Sequence, residues 1–221
     1  MTKETEKDIT LNIGVEQFLW GRGYDRVAGV DEAGRGAWGG PIVAAAVVLP
    51  QHRIFEGIKD SKKLSPKKLL TLEKIIRAYA TQCFASSRTA HYIDTRGIDF
   101  ANCKAMVTAI NNVEHDAIVI DGVHIASLVE VQLKRHLDLH KPIEGYDKGE
   151  SKSQAIAAAS IIAKTYRDAL MLGVDARFPE YGFANHKGYG TQEHRDAIIK
   201  HGFCDAHRKT FRIKGLDYLY K

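Results

Sequence analysis

The sequence has no long hydrophobic run, and this absence excludes several classes of protein. The longest apolar run, from Ile42 to Leu49, has the length of a strand and is far short of the roughly 18 residues that a membrane-spanning helix needs. The first ten residues are charged and lack the apolar core of a signal peptide. We therefore expect no membrane partner and a cytoplasmic location.

Cysteines are few, and several catalytic motifs are missing. Cys83, Cys103 and Cys204 are odd in number and have no CxxC spacing, which favours a reduced compartment over a disulfide framework or a zinc site. The GxxxxGK[ST] spacing of a Walker motif is absent, so an ATPase is not expected. No Ser/His/Asp or Cys/His triad can be assembled, and histidines such as His115 and most others are expected at the surface.

The composition is that of a globular domain with a small excess of positive charge. The 221 residues are 44% hydrophobic and 27% charged, which excludes disordered and fibrous classes. A chain of this length fits one domain, or one domain with an appendage, and buries roughly 70% of its extended surface. The net charge of +5 is compatible with nucleic acid or another polyanion, although many enzymes are as basic.

Four segments have the pattern of β-strands. Val27 to Asp31 ends at a glycine-rich turn, and Ile42 to Leu49 is apolar throughout, as in a strand that is covered on both faces. Cys83 to Arg88 is a third candidate, and Ala117 to Asp121 is a fourth that ends in a carboxylate.

Helices are predicted from capping residues and apolar spacing. Ser65 followed by Pro66 predicts a helix to about residue 79, and Asp99 is expected to cap a second helix. The apolar residues expected to face the core from the first helix are Leu69, Leu72, Ile75, Ile76 and Tyr79.

Two further helices are predicted in the second half of the chain. Residues 151–154 have the form of a capping box that opens a helix to about residue 171, and a last helix is expected over residues 191–201. Sequential early strands followed by helix–strand alternation predict an α/β fold with a mixed β-sheet and a helical C-terminal part.

Acidic residues follow two of the predicted strands. Asp31 and Glu32 end the first, and Asp121 ends the fourth. If these carboxylates converge, two of them about 4 Å apart repel by roughly 4 kcal/mol at an effective dielectric constant near 20, so a cation must compensate. Oxygen ligands favour Mg²⁺ or Mn²⁺. The alternative is that each acid ends its strand because the chain reaches water there.

Two segments have features of phosphate binding. Gly34 and Gly36 permit positive φ and close approach to a ligand, and Arg35 between them can contact phosphate. Lys62 and Lys63 precede a helix N-terminus, which is a reasonable phosphate site. The alternatives are a plain turn between strands and solvated lysines beside a helix cap.

A third segment, residues 181–191, places aromatic residues among glycines and basic residues. This mixture stacks on sugars or bases while holding phosphates. The alternative is a buried aromatic residue that fixes a loop.

Seven motifs in fixed order resemble ribonuclease HII over about residues 27–211. They are Asp31-Glu-Ala-Gly-Arg-Gly36, Asp60-Ser-Lys-Lys-Leu-Ser65, Gly97-Ile-Asp-Phe-Ala-Asn102, Ile120-Asp-Gly122, Ile156-Ala-Ala-Ala-Ser-Ile-Ile-Ala-Lys164, Arg167-Asp168 and His186-Lys-Gly-Tyr-Gly-Thr191. The resemblance implies a ribonuclease H-like fold with a helical C-terminal extension. It also implies endonucleolytic cleavage of RNA in RNA–DNA hybrids and of single ribonucleotides in a DNA duplex, with Mg²⁺ or Mn²⁺ as cofactor.

The resemblance assigns metal ligands and catalytic residues. It makes Asp31, Glu32 and Asp121 ligands, and it implies two-metal hydrolysis that leaves 3′-hydroxyl and 5′-phosphate ends. The family's fourth acid is an aspartate after Lys-Gly, where this chain has Glu150, one methylene longer. Asp147 lies nearby in the sequence and is the alternative fourth ligand.

The resemblance also assigns residues that bind the substrate. The tripeptide Gly34, Arg35 and Gly36 matches the one that reads the ribose 2′-hydroxyl, and Tyr189 matches the tyrosine that stacks on the next sugar. Lys62 and Lys63 are our choice for backbone phosphates.

Domain limits and competing functions complete the predictions. We expect an N-terminal segment at 1–26, a catalytic domain at 27–173 and a helical region at 174–221, in a monomer.

The alternative functions are those of a related nuclease of the ribonuclease HIII or junction-resolvase type, and of a basic nucleic-acid-binding module without catalysis. The hydrophobic tail, residues 216–220, is expected to pack on the domain rather than to dock a partner.

Overall fold

A computed structural model of the protein describes residues 14–58, 64–134 and 141–220. Its strands are β1 (Val27–Ala33), β2 (Ile42–Val48), β3 (Gln82–Arg88), β4 (Ala117–Asp121) and β5 (Ile143–Tyr146). Its helices are α1 (Gly14–Trp20), α2 (Pro66–Tyr79), α3 (Ala90–Arg96), α4 (Ile98–Ile110), α5 (Val123–Lys134), α6 (Gln154–Arg177), α7 (Phe183–His186) and α8 (Gln192–His201). Short 3-10 turns cover Gly149–Ser151, Pro179–Tyr181 and Asp217–Tyr220.

The strands form one mixed sheet in the order β3-β2-β1-β4-β5. β2 runs antiparallel to both β1 and β3, whereas β4 is parallel to both β1 and β5. The predicted α/β fold with a mixed sheet is therefore confirmed. All four strands predicted from the sequence are present, and β1 extends two residues past its predicted end.

Helices cover both faces of the sheet because alternate strand residues point to opposite sides. On one face, Val30 and Ile120 pack in a core cluster with Met106 of α4 and Val129 of α5. On the other face, β2 packs against α6 and α2. Gly29 lies so close to the backbone of α6 at Ala155 and Ile156 that a side chain there would collide with it.

Helix α2 has the predicted ends but a narrower buried face than expected. Ser65 caps it, and Leu69, Leu72 and Ile76 are buried. Ile75 and Tyr79 are 37% and 48% exposed, so their predicted inward position was wrong. The guanidinium of Arg53 lies 3.6 Å from the centroid of the Tyr79 ring, which accounts for a large aromatic residue at the surface.

Helix α4 does not begin with Asp99 as its cap. Gly97 is the capping residue, with φ of 82°, because an unpredicted helix, α3, ends at Arg96 immediately before it. Asp99 lies in the first turn of α4 and pairs with Arg35 instead.

Helix α6 begins and ends later than predicted. Its cap is Ser153, whose Oγ accepts a hydrogen bond from the Ile156 amide at 3.1 Å. Ser151 lies in the 3-10 turn that precedes the helix, where its hydroxyl donates to the Lys148 carbonyl at 2.8 Å, so it is two residues too early to be the cap. The helix continues to Arg177 because its later turns still pack against the C-terminal region through Met171.

Helix α8 and the tail agree with the sequence. Thr191 caps α8, and Gly202 follows its last residue. Leu216 packs with Ile198 and Ile213, which confirms that the tail packs on the domain. All three cysteines are free. In the described ranges, no helix is long and apolar enough to cross a membrane.

Candidate active site

Two of the predicted acids lie side by side on adjacent strands, Asp31 within β1 and Asp121 at the end of β4. Val30 of β1 is paired with Ile120 of β4 in the parallel ladder, so the next residues, Asp31 and Asp121, are neighbours. Asp31 is only 4% exposed. A buried carboxylate next to another carboxylate is an unfavourable arrangement that needs compensation from a cation or a proton.

The surroundings of Asp31 give the direction of its electrostatic perturbation. Burial raises the pKa of Asp31 well above its usual range, and the charges of Glu32 and Asp121 raise it further. Hydrogen bonds from the Ser160 hydroxyl and from the Glu32 amide, the latter at 2.7 Å, oppose the shift. The site therefore has more negative charge than its protein surroundings stabilise.

The turn that carries Glu150 is fastened to Asp121. The Gly149 amide donates to Asp121 Oδ1 at 2.7 Å, and a Cβ on Gly149 would lie 2.7 Å from Ile156 Cδ1. A side chain at this position would displace the Ile156 side chain, and the Gly149 hydrogen bond places Glu150 next to a residue that contacts Asp121. The Asp147 carboxylate instead accepts a 3.5 Å contact from the Val123 amide, at the start of α5.

The four acids are not arranged as a preassembled metal site in the structure. Within the described part of the chain, no group of three or more acidic, histidine or cysteine side chains has an arrangement that could hold a metal ion. The chemistry of the donors nevertheless fits Mg²⁺ or Mn²⁺, because Asp31, Glu32, Asp121 and Glu150 offer only carboxylate oxygens.

The glycine tripeptide follows β1 and leads into a buried turn. Gly34 has φ of 92°, and any side chain on it would overlap the side chain of Arg167. Gly36 does not use the positive φ that a glycine permits, and no atom lies within 4 Å of the position a Cβ would take. Arg35 is half-buried and forms an ion pair with Asp99.

Two buried arginines hold the backbone of this turn. Arg208 donates to the carbonyls of Arg35 and Gly40 at 2.9 and 3.1 Å. Arg167 donates to the carbonyls of Gly39 and Pro41 at 3.1 and 2.9 Å. Burial lowers the pKa of both, and the nearby charge of Arg167 contributes to a pKa of about 9 for Arg208. The backbone of this turn is thus fixed by two arginine side chains that donate hydrogen bonds to its carbonyls.

Tyr189 and one of the acids, Glu32, line the same cavity. A space of about 310 Å³ is lined by residues that include Glu32, Gly34, Ser160, Lys164 and Tyr189. The Tyr189 ring is 37% exposed, and the Arg167 guanidinium lies 5.1 Å from its centroid. The structure brings Glu32, Gly34 and Tyr189 to one cavity, with Asp31 and Asp121 close to Glu32. Lys62 and Lys63 lie outside the described residues.

Comparison with known proteins identifies the family of the chain. Residues 28–214 match the family model of ribonuclease HII. The chain is 43% identical to ribonuclease HII of Chlamydia caviae over 199 residues, which cover 89% of this chain and 88% of the relative. The chain belongs to the ribonuclease HII family.

Solved structures of related nucleases share the fold. Ribonuclease H2 from Pyrococcus horikoshii OT3 superposes with a TM-score of 0.71 and 26% identity, over 88% of this chain and 97% of that one. Bst-RNase HIII in complex with Mn²⁺ has a TM-score of 0.62 at 22% identity, over 80% and 63% of the two chains. The predicted ribonuclease H-like fold is confirmed. The ribonuclease HII family consists of endonucleases that cleave the RNA of RNA–DNA hybrids, and this is the function of the chain.

Several residues of this ribonuclease HII site received no role from the sequence. Ser160, Lys164 and Arg167 lie on one face of α6, at spacings of four and three, in a helix whose first turns are otherwise apolar. This polar stripe is a signal that sequence reasoning could have used. Arg208 gave no such signal, because its contacts with the glycine turn depend on the tertiary structure.

Proposed function

We propose that the chain hydrolyses RNA with two divalent cations held by Asp31, Glu32, Asp121 and Glu150, and that it also cleaves at single ribonucleotides in duplex DNA. The observation that carries the proposal is that Asp31 of β1 and Asp121 of β4 immediately follow the paired residues Val30 and Ile120, with further negative charge from Glu32 beside them. A fold relative, Bst-RNase HIII, binds Mn²⁺, which supports a divalent cofactor. Mg²⁺ and Mn²⁺ both suit the carboxylate oxygens.

The chain's residues have distinct proposed roles in hydrolysis. Bound cations would activate a water molecule and stabilise the leaving 3′-oxygen, so the products carry 3′-hydroxyl and 5′-phosphate ends. Asp31, held by Ser160 and by the Glu32 amide, provides a fixed ligand at the centre of the site. Asp121 is oriented by the Gly149 amide.

Glu150 is a better candidate than Asp147 for the fourth ligand. Its turn is tied to Asp121 through Gly149, so its backbone position is set by another ligand. The Asp147 carboxylate is directed at the amide of Val123, where it favours the N-terminus of α5.

Recognition of the ribose is proposed to depend on the glycine tripeptide and Tyr189. Gly34, Arg35 and Gly36 offer backbone groups to the 2′-hydroxyl, and Tyr189 stacks on the neighbouring sugar. When DNA is bound, the 2′-hydroxyl is missing and the polar groups that would bind it stay unpaired. This cost allows the site to discriminate RNA from DNA. Lys62 and Lys63 stay our choice for backbone phosphates.

Cleavage mapping on a DNA duplex with one ribonucleotide tests the proposal. We expect a single Mg²⁺-dependent cut beside the ribonucleotide, no cut in an all-DNA duplex, and no activity in EDTA. Binding without cleavage would favour the non-catalytic module. Cleavage of long hybrids but not of the single ribonucleotide would favour the ribonuclease HIII type.

The matched variants are Asp31→Asn and Asp147→Asn, which remove one carboxylate each from the same region. Loss of cleavage in the first and retention in the second is the expected pattern. The monomeric state, the domain limits and the cytoplasmic location stay predictions that this assay does not address.

A further inference from the structure

Three buried histidines lie beside the loop that carries Tyr189, which corrects the expectation that most histidines are at the surface. His186, His194 and His207 are 7%, 0% and 1% exposed. His115, also expected at the surface, is 8% exposed, and His136 and His140 lie outside the described residues. The rings of His186 and His194 stack with centroids 4.3 Å apart.

The partners of two of these rings fix the direction of a hydrogen-bond chain. A carbonyl oxygen can only accept, so His194 Nδ1 donates to the Tyr189 carbonyl at 3.0 Å. The Cys204 amide donates to His207 Nδ1 at 3.0 Å, which leaves Nε2 of His207 as its protonated nitrogen. His207 Nε2 therefore donates to His194 Nε2 at 3.1 Å, and every bond is satisfied with both rings neutral.

The chain ends on the backbone of Tyr189 itself. The Tyr189 carbonyl accepts from His194 and also from the Thr191 amide at 2.9 Å. On the other side, the Gly188 amide donates to His186 Nδ1 at 3.1 Å. Histidine side chains thus hold the backbone immediately before and after the Tyr189 side chain.

The loop needs such support because of its glycines. Tyr189 lies between Gly188, with φ of 79°, and Gly190, which packs so closely on Trp38 that a side chain would overlap the indole ring. Glycine has the greatest backbone freedom, so fixing the loop depends on contacts made by other residues.

A metal site is excluded as the purpose of this cluster. The Cys204 thiol lies 3.2 Å from His207 Nδ1, whereas His207 faces His194 through Nε2, on the other side of the ring. The sulfur and the two Nε2 atoms therefore do not converge on one point.

We propose that His207 and His194 form a positioning relay, from the Cys204 amide to the Tyr189 carbonyl, that sets the Tyr189 ring for the ribose-containing strand. This inference rests on the proposed role of Tyr189 in sugar recognition. The relay transfers no proton and contacts no reacting atom. It fixes one backbone carbonyl, and through it the direction of an exposed ring.

A comparison of two His194 variants tests the relay. His194→Phe keeps an aromatic ring to stack on His186 but removes both hydrogen bonds. His194→Asn keeps a donor near the position of Nδ1. On a duplex with one ribonucleotide, we expect His194→Phe to lower kcat/KM about ten- to a hundredfold, mainly through KM, since a misplacement near 1 Å can cost about a hundredfold. His194→Asn should recover most of the loss.

A double-mutant cycle with Tyr189→Ala separates positioning from a general structural role. If the relay acts through Tyr189, His194→Phe should have little further effect in the Tyr189→Ala background. An equal loss in both backgrounds, or a lower Tm with unchanged kinetics, would overturn the relay. If Tyr189→Ala alone leaves selectivity unchanged, the proposed role of Tyr189 fails, and the relay fails with it.

Two further variants complete the design. His207→Phe breaks the chain one bond farther from Tyr189, and a smaller loss in the same direction is expected even if His194→Phe does not fold. His115→Phe is the matched control, because this buried ring bonds the Val113 carbonyl at 2.9 Å just before β4, at the opposite end of that strand from Asp121. It should change Tm without changing ribonucleotide selectivity, and an equal selectivity loss would count against the relay.

Discussion

Mild acid should destabilise the protein through its buried histidine relay. Burial lowers the pKa of His194 to about 4, and burial together with His194 lowers that of His207 to about 3. Because the folded pKa values lie below the ordinary value of 6.5, the unfolded chain binds protons first as the pH falls. The stability from these rings is complete above pH 6.5 and is lost progressively between pH 6.5 and about 3.

The size of the effect follows from proton linkage. At pH 5, an unfolded histidine is almost fully protonated while both folded rings remain mostly neutral. Each ring then costs about 2 kcal/mol relative to neutral pH, or about 4 kcal/mol for the pair. This is a large part of the 5–15 kcal/mol that is typical for the whole stability of a domain.

Urea unfolding at several pH values measures the effect as a difference between two proteins. The His194→Phe/His207→Phe double variant has no imidazole to protonate at either position. Asp31 and Glu16 titrate in the opposite sense, since burial raises the pKa of both, but they are present in both proteins and cancel. The free energy of unfolding should therefore fall about 4 kcal/mol less in the variant than in the wild type between pH 7.5 and 5.

The comparison contains its own control. From pH 7.5 to 8.5 the two stability curves should run parallel, because the rings of His194 and His207 are neutral in both folded and unfolded chains. Equal losses in the two proteins on acidification to pH 5 would refute the argument that the two rings are buried neutral. A wild type that gains stability toward pH 5 relative to the variant would refute its sign.

Other predictions concern the acids and the sugar-binding tyrosine. Asp31→Asn should lower the cleavage rate by orders of magnitude because a metal ligand is lost. It should also raise the Tm of the metal-free protein, because repulsion from Glu32 and Asp121 disappears. Near-normal turnover would contradict the metal assignment. Tyr189→Ala should lose about 1–3 kcal/mol of stacking, measured as weaker binding of the ribonucleotide duplex, whereas a lower Tm with unchanged activity would mark a core residue. Glu150→Gln should impair cleavage less than Asp31→Asn does, and it should shift the ratio of the rates in Mg²⁺ and Mn²⁺. Glu150→Asp should stay active. Full activity of Glu150→Gln in both metals would leave Glu150 only a role in stabilising the N-terminus of α6.

Capping and apolar spacing were sufficient to predict several elements of the fold. The start of α2 at Pro66 and of α8 after Thr191 depend on the cap and the first turn alone, so a few adjacent residues encode them. β5 was missed because its four residues are all half-buried and show no alternation. α5 was missed although buried residues such as Ile125 and Val129 recur at helical spacing.

The sequence by itself determined the chemistry that the site can offer, whereas tertiary structure decided which groups meet. Acids after apolar strands and a glycine tripeptide can be recognised along the chain, because each depends on neighbouring residues. The proximity of Asp31 to Asp121 depends on the register of two strands whose acids are 90 positions apart in the sequence. The same holds for the hydrogen bond from His194 to His207, since a ring becomes buried and directional only when distant segments close around it.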